Sequence, residues 1–148
     1  MAKKSKIPHI EIEYPHFRSE EELVIFEDEL NHNRVILIAE LDEVVDKASA
    51  VIDKGITIRI GIQGCYEAFL ESFLHEVQEA FLMVNKCRYL ESLEDEDCMS
   101  STCIFVFSHA MFQQMVLETT GLFLRHFPKM HDVWQIYNKE LDSEEGEE

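Results

Sequence analysis

The stretch Ile56-Thr57-Ile58-Arg59-Ile60-Gly61-Ile62 decides the fold class. Four isoleucines fall on one face of an extended chain, and Thr57, Arg59 and Gly61 fall on the other, so a period of two runs through the whole segment. β-Branched side chains favour a strand, and a face made only of isoleucine needs a hydrophobic layer against it. Upstream, Glu43 to Lys54 carries Val44, Ala48 and Val51 at helical spacing, with Asp42 as a cap and Gly55 as a stop, which predicts a helix. Before it, Val35 to Ala39 is a continuous apolar run, the pattern of a strand buried on both faces. Downstream, Gln63-Gly64 ends the isoleucine strand. A long helix is predicted between Glu67 and Lys86, with Phe69, Phe73, Val77, Ala80, Phe81 and Val84 as its buried stripe.

The flanks extend this alternation. His9 to Tyr14 alternates apolar and acidic residues as a short strand would, and Pro15 ends it or holds it at an edge. Ser19 with Glu22 three positions on predicts a helix reaching Leu30, with Leu23, Phe26 and Leu30 inward, and Asn31-His32-Asn33 is turn-like. Glu91 to Ser101 is an acidic loop and Ile104 to Phe107 the next buried strand. Ser108 caps a helix to about Thr119 with Gly121 near its end, Pro128 marks a boundary, and Asp132 opens a last short helix through Tyr137 to Leu141. Strands separated by helices predict a single α/β domain with a mainly parallel or mixed four-stranded sheet. It spans residues 9–141, between a basic tail at 1–8 and an acidic tail at 142–148, with no internal repeat.

Composition bounds the function. At 148 residues and 46% hydrophobic the chain can bury a proper core. Its formal net charge of -17 excludes ordinary phosphate-backbone binding, which needs clustered Lys and Arg, and disfavours an anionic membrane. Opposite fields steer association, so a basic protein surface is the partner this charge suits. No apolar run approaches the roughly 20 residues of a membrane span, and the basic stretch Met1 to Lys6 lacks the apolar core of a leader, so a cytoplasmic location is expected. Cys65, Cys87, Cys98 and Cys103 form no Cys-x-x-Cys pair and no zinc-like spacing, and Cys103 reads as a core filler.

No catalytic constellation stands out. Phosphate-loop, dinucleotide-loop, His-Glu-x-x-His and nucleophile-elbow motifs are missing from the sequence. His75 and Glu79, one helical turn apart, read as a solvated pair, and Glu94 to Asp97 as a solvated charge run. His126 and His131 flank Pro128 within reach of one another, and Cys65 precedes a helix whose dipole would lower a thiol pKa. The expectation is a non-enzymatic protein with no cofactor and no metal.

Three short segments resemble one family. Ala39-Glu40-Leu41-Asp42 resembles the Gly-Glu-Leu-Asp after an early strand in STAS domains, the fold of anti-sigma-factor antagonists. Phe69-Leu70-Glu71-Ser72-Phe73-Leu74 is similar to that family's apolar-Asp-Ser-Ser element, and Ser72-Phe73-Leu74-His75-Glu76 to the Ser-Phe-x-x-Glu form of STAS-like domains. Ser108-His109-Ala110 through Thr120-Gly121-Leu122-Phe123 is similar to the closing helix. The matches cover about residues 34–134.

The resemblance implies a STAS-like regulatory module that binds another protein, such as a serine kinase or anti-sigma-like factor. It implies phosphorylation at Ser72, where a dianion would block binding. Asp42, Glu67, Glu71, Ser72 and His75 are then the candidate partner-binding residues. The chain departs from the pattern at Phe73, which replaces a second serine, and in its extra N-terminal strand and acidic helix.

Three other readings stand beside it. An acidic stoichiometric inhibitor, immunity-type protein or nucleic-acid mimic needs Glu20 to Glu29, Glu91 to Asp97 and the tail on one surface. An enzyme needs Cys65, His75 and a carboxylate around one pocket. An interaction subunit of a larger assembly would use Phe123, Phe127, Trp134 and Tyr137 as anchors.

Overall fold

A computed structural model describes residues 13–90 and 103–139 of the chain. Its main body is a five-stranded mixed sheet with two helices packed on one face. The strands are β1 (His16–Phe17), β2 (Glu22–Leu30), β3 (Asn33–Val44), β4 (Ala48–Ile52) and β5 (Ile56–Gln63), in the spatial order β1-β2-β3-β5-β4. Only β3 and β5 run parallel; every other neighbouring pair is antiparallel. Helix α1 (Tyr66–Val84) lies over β4 and β5, and α2 (His109–Tyr137) over β2 and β5. A two-stranded ribbon, β6 (Arg88–Leu90) with β7 (Cys103–Phe105), stands apart from the sheet.

The isoleucine strand is where periodicity places it. Ile56, Ile58, Ile60 and Ile62 are fully buried beneath the stripe Phe69, Phe73, Val77, Ala80 and Phe81 of α1. Val35, Leu37 and Ala39 of β3 sit beside them in the same core. Ser108 caps α2 as expected, its hydroxyl accepting the Met111 amide at 3.2 Å.

The buried strand expected over Ile104 to Phe107 is instead β7, Cys103–Phe105, paired with β6 alone and outside the main sheet, with Phe105, Val106 and Phe107 exposed. Three elements of the main body also differ from the sequence reading. First, Glu22 to Leu30 is a strand, not a helix. The β2–β3 pairing slips between Val24 and Phe26, leaving Ile25 as an extra residue. That bulge resets the alternation and puts Leu23, Phe26 and Leu30 in one core, at the spacing of a helical stripe. Ser19 still accepts the Glu21 and Glu22 amides, but in a turn that feeds a strand.

Second, the helix expected over Glu43 to Lys54 is absent. Strand β3 continues to Val44, the chain turns, and β4 runs back antiparallel to β5. The expected stripe is not a buried face: Val44 and Val51 are both exposed. Gly55 ends no helix; with Lys54 at φ 50° and Gly55 at φ 149° it makes the turn between β4 and β5. The sheet expected to be mainly parallel or mixed is therefore mixed, and it has five strands where four were expected.

Third, α2 is one helix of 29 residues that runs through Gly121 and Pro128. Leu122, Met130 and Val133 are buried on both sides of these breakers, and packing outweighs their local cost. The expected strand from His9 to Tyr14 lies largely outside the described residues, and β1 follows Pro15 instead. The basic N-terminal segment, the acidic loop, Leu141 and the acidic tail also lie outside them.

Two polar ties fasten α2 to the sheet. Asp28 of β2 accepts from Arg125 at 2.9 Å and meets His126 at 2.6 Å, and the His126 ring stacks on Phe26. Burial pushes the Asp28 carboxyl up, but bonds from His126, the Glu29 amide and Arg125 hold it net below its ordinary value. At the other end Gln63 donates to the carbonyls of Leu41 (2.6 Å) and Tyr137 (3.0 Å), and Trp134 donates to Gly64 (2.9 Å).

To pass from β3 to β4 the chain must cross the end of β5, and it does so at Gly61. A Cβ on Gly61 would lie 1.9 Å from the Val44 carbonyl oxygen, a main-chain atom that cannot swing away. Gly61→Ala is expected to cost about 3 kcal/mol or more, because the crossing itself must shift. Urea denaturation of the variant against the wild type reads this directly.

Candidate functional site

The crossing segment is held from both sides. The Val45 amide donates to the Gln63 carbonyl at 2.9 Å, and the Ser72 hydroxyl of α1 donates to the Val45 carbonyl at 2.6 Å. Beside this tie is an open cavity of about 320 Å³, lined by Asp46, Ala48, Glu71, Ser72, His75 and Glu76. Three of the five residues singled out from the sequence, Glu71, Ser72 and His75, therefore share one site. Asp46 and Glu76 join them; the sequence reading missed both. Asp46 lay inside an expected helix, whereas Glu76 was visible as the residue one turn after Ser72.

The site is acidic and partly desolvated. Burial raises the Glu76 carboxyl above its ordinary value, with His75 opposing this and Glu79 adding to it. His75 Nε2 lies 3.1 Å from the Glu79 carboxylate, the two being the pair expected one turn apart, and the His75 side chain is well exposed.

The other two expected residues lie elsewhere. Asp42 is an exposed residue of β3, not a helix cap, and pairs with the Lys139 ammonium. Glu67 is exposed in the first turn of α1.

Ser72 is not at a helix start. It lies well inside α1, half-buried, and its hydroxyl is spent on Val45. A phosphate there would remove the donor and set a dianion against a carbonyl oxygen, so modification would act on the fold before it acted on a partner.

The enzyme reading finds little geometry. Cys65 is an exposed free thiol at the N-cap of α1, with no side-chain cap bond. His75 is about 15 Å further along the helix axis, so the two do not meet around one pocket. His126 and His131 do not pair: His126 joins Asp28, and His131 packs among Tyr66, Phe127 and Trp134. Cys87 is buried, and the side chains of Cys98 and Cys103 are outside the described residues. Among the described residues no three His, Cys, Asp or Glu side chains gather as a metal site requires.

The expected C-terminal anchors belong to the core margin. Phe123, Trp134 and Tyr137 pack against the core, and Phe127 lies against Tyr66 and Phe123. Burial pushes the Tyr66 hydroxyl in this cluster up to about 12. The large apolar side chains that α2 offers to solvent are others: Phe112, Val116, Leu117, Leu124 and, near its end, Ile136, with Leu117 and Leu124 at 69% and 67% exposure. Phe105, Val106 and Phe107 on the approach are exposed too, and Phe107 stacks on Phe112 with ring centroids 6.0 Å apart. No expectation from the sequence fell on the exposed side chains of α2, and the one that fell on Phe105 to Phe107 was of a buried strand, which their exposure corrects. The signal was there in Leu117 and Leu124, seven residues apart on one line of a helix, but a helix ended near Thr119 hides it.

The inhibitor reading asked for a convergent acidic surface. Glu22 to Glu29 now lies along a strand, where Arg34 pairs with Glu27, Arg59 with Glu22 and Arg125 with Asp28. Glu91 to Asp97 and the tail lie outside the described residues. No helix among the described residues is long and apolar enough to cross a membrane. Comparison of the chain with protein-family models, with curated proteins and with solved structures found no match in any of the three.

Two predictions concern this site. Ser72→Ala is expected to lower stability by about 1 kcal/mol, and Ser72→Asp by about 2, since the second leaves the Val45 carbonyl facing a charge; urea denaturation separates them. Glu76 binds its proton more tightly folded than unfolded, so its ionisation opposes folding as pH rises through its folded value. Glu76→Gln is expected to melt above the wild type at pH 7. The gap should close below about pH 4, where the carboxyl is protonated in both states.

Proposed function

We propose that the chain is a protein-binding module, not an enzyme, and that it binds through the outer face of α2. The observation that carries this is Leu117 and Leu124, the two most exposed apolar side chains of α2, on one line of the helix turned away from its buried stripe, with Phe112 and Val116 exposed on the adjoining flank and Phe107 stacked on Phe112. Single exposed leucines are ordinary on any protein. Leu117 and Leu124, opposite a side buried on Met115, Thr119, Leu122, Met130 and Val133 and flanked by Phe112 and Val116 over about 18 Å of helix, have the form of a docking strip. With a net charge of -17 on the chain, the fitting partner offers an apolar groove rimmed by basic side chains.

A STAS-like architecture is part of this reading. It is supported by both helices lying on one face of the sheet and by α1 following a strand in parallel pairing with β3. Strand β4 stands where the resemblance calls for a crossover helix, so the likeness is to the layout of the domain and not to its full connection pattern.

Affinity capture tests the strip. The full chain and a Leu117→Asp/Leu124→Asp variant are compared on one lysate, with circular dichroism to confirm that the variant folds. Proteins retained by the wild type and lost from the variant are expected, and they should be retained by Ser72→Ala. Equal capture by all three would remove α2 as the binding face.

A further inference from the structure

We propose that the chain forms a two-fold homodimer by antiparallel pairing of β4 with β4 of a second copy. Strand β4 is an edge of the sheet, with β5 on one side and no strand on the other among the described residues. The opposite edge is treated differently: the short β1 follows Pro15 and covers Leu23 and Val24 of β2. Edges of folded proteins usually carry a proline, a charge or a bulge that prevents pairing with another chain. Ala48-Ser49-Ala50-Val51-Ile52 has no proline and no charge, pairs with β5 without a slip, and leaves Val51 and Ile52 at 51% and 39% exposure.

The main-chain groups are in phase for self-pairing. The Lys47 carbonyl accepts from Gly61 (2.9 Å) and the Asp53 amide donates to Gly55 (2.9 Å). Alternation along the ladder then turns the amides and carbonyls of Ser49 and Val51 toward β5, and those of Ala48, Ala50 and Ile52 outward. An antiparallel partner centred on Ala50 sets Ala50 opposite its own copy and Ala48 opposite Ile52. Both are hydrogen-bonded pairs in this phase, giving about six ladder bonds.

The side chains select a second copy over an unrelated strand. In the same register Ala48 opposes Ile52, small against large, and Ser49 opposes Val51. The flanks are Asp46-Lys47 before the strand and Asp53-Lys54 after it. Two-fold pairing about Ala50 brings Lys47 opposite Asp53 and Asp46 opposite Lys54, each twice. Four cross-strand pairs of opposite charge therefore frame an uncharged strand. Lys47 holds Glu43 within its own copy at 2.8 Å and remains more than half exposed, so it stays accessible to an incoming Asp53.

Sedimentation velocity of the full chain over about a hundredfold range of concentration tests this. A monomer–dimer equilibrium is expected. Ala50→Pro should leave a folded monomer, because the amide it removes points away from β5. Lys47→Asp and Asp53→Lys should each weaken the dimer by about tenfold by opposing like charges, and the double exchange should restore it. The double exchange keeps the test informative if the proline variant fails to fold. A chain that stays monomeric throughout overturns the proposal, as does a dimer that survives Ala50→Pro or charge variants without mutual rescue.

Discussion

The crossing of β5 at Gly61 is the constraint on which the rest of the structure depends. Strands β3 and β5 run parallel, yet only a short return strand separates them in sequence. Parallel neighbours usually need a long connection, most often a helix, to bring the chain back. Here the chain steps over the end of β5, runs down its far side as β4, and turns at Lys54-Gly55 into β5 itself. The step brings the Val44 carbonyl against Gly61 with no room for a Cβ. The Ser72 and Gln63 bonds to Val45 then hold the segment in place. The acidic cavity, the position of β4 at the edge and the spent hydroxyl of Ser72 all follow from that one route.

How much of this could be read in the sequence depends on whether local pattern and packing agree. At Ile56 to Ile62 and along the stripe from Phe69 to Phe81 they agree, and the elements stand where periodicity puts them. At Glu22 to Leu30 a bulge at Ile25 gives a strand the spacing of a helix, and no single-residue preference reveals the slip. At Val44 to Ile52 the acid and alanine content favours a helix, while Val44, Val45, Val51 and Ile52 favour a strand. The outcome rests on Gly61, which lies beyond the segment in the next strand. In α2 the breakers Gly121 and Pro128 are overruled by Leu122, Met130 and Val133, whose burial cannot be known before the sheet beneath them is.

The candidate site was legible to the same extent. Glu71, Ser72 and His75 share one face of a helix that the stripe defined, so they had to be neighbours. What they face could not be read, because Asp46 and Ala48 come from the segment whose path the crossing decides. Ser72 changes character for that reason. A serine that would greet a partner if a crossover helix preceded β5 meets the Val45 carbonyl instead, because the crossing chain passes beneath it.

The same route separates the two surfaces assigned to binding. Helix α2 packs over β2 and β5, whereas β4 lies at the far edge beneath α1. A dimer joined through β4 therefore leaves the outer face of each α2 open. Two identical strips on one rigid sheet would bind a repeated or dimeric target with an effective concentration set by the fold rather than by a linker. The acidity of the chain opposes bringing two copies together at long range. The contact must therefore be short-range and specific, and a strand of uncharged residues framed by Asp46, Lys47, Asp53 and Lys54 is a contact of that kind.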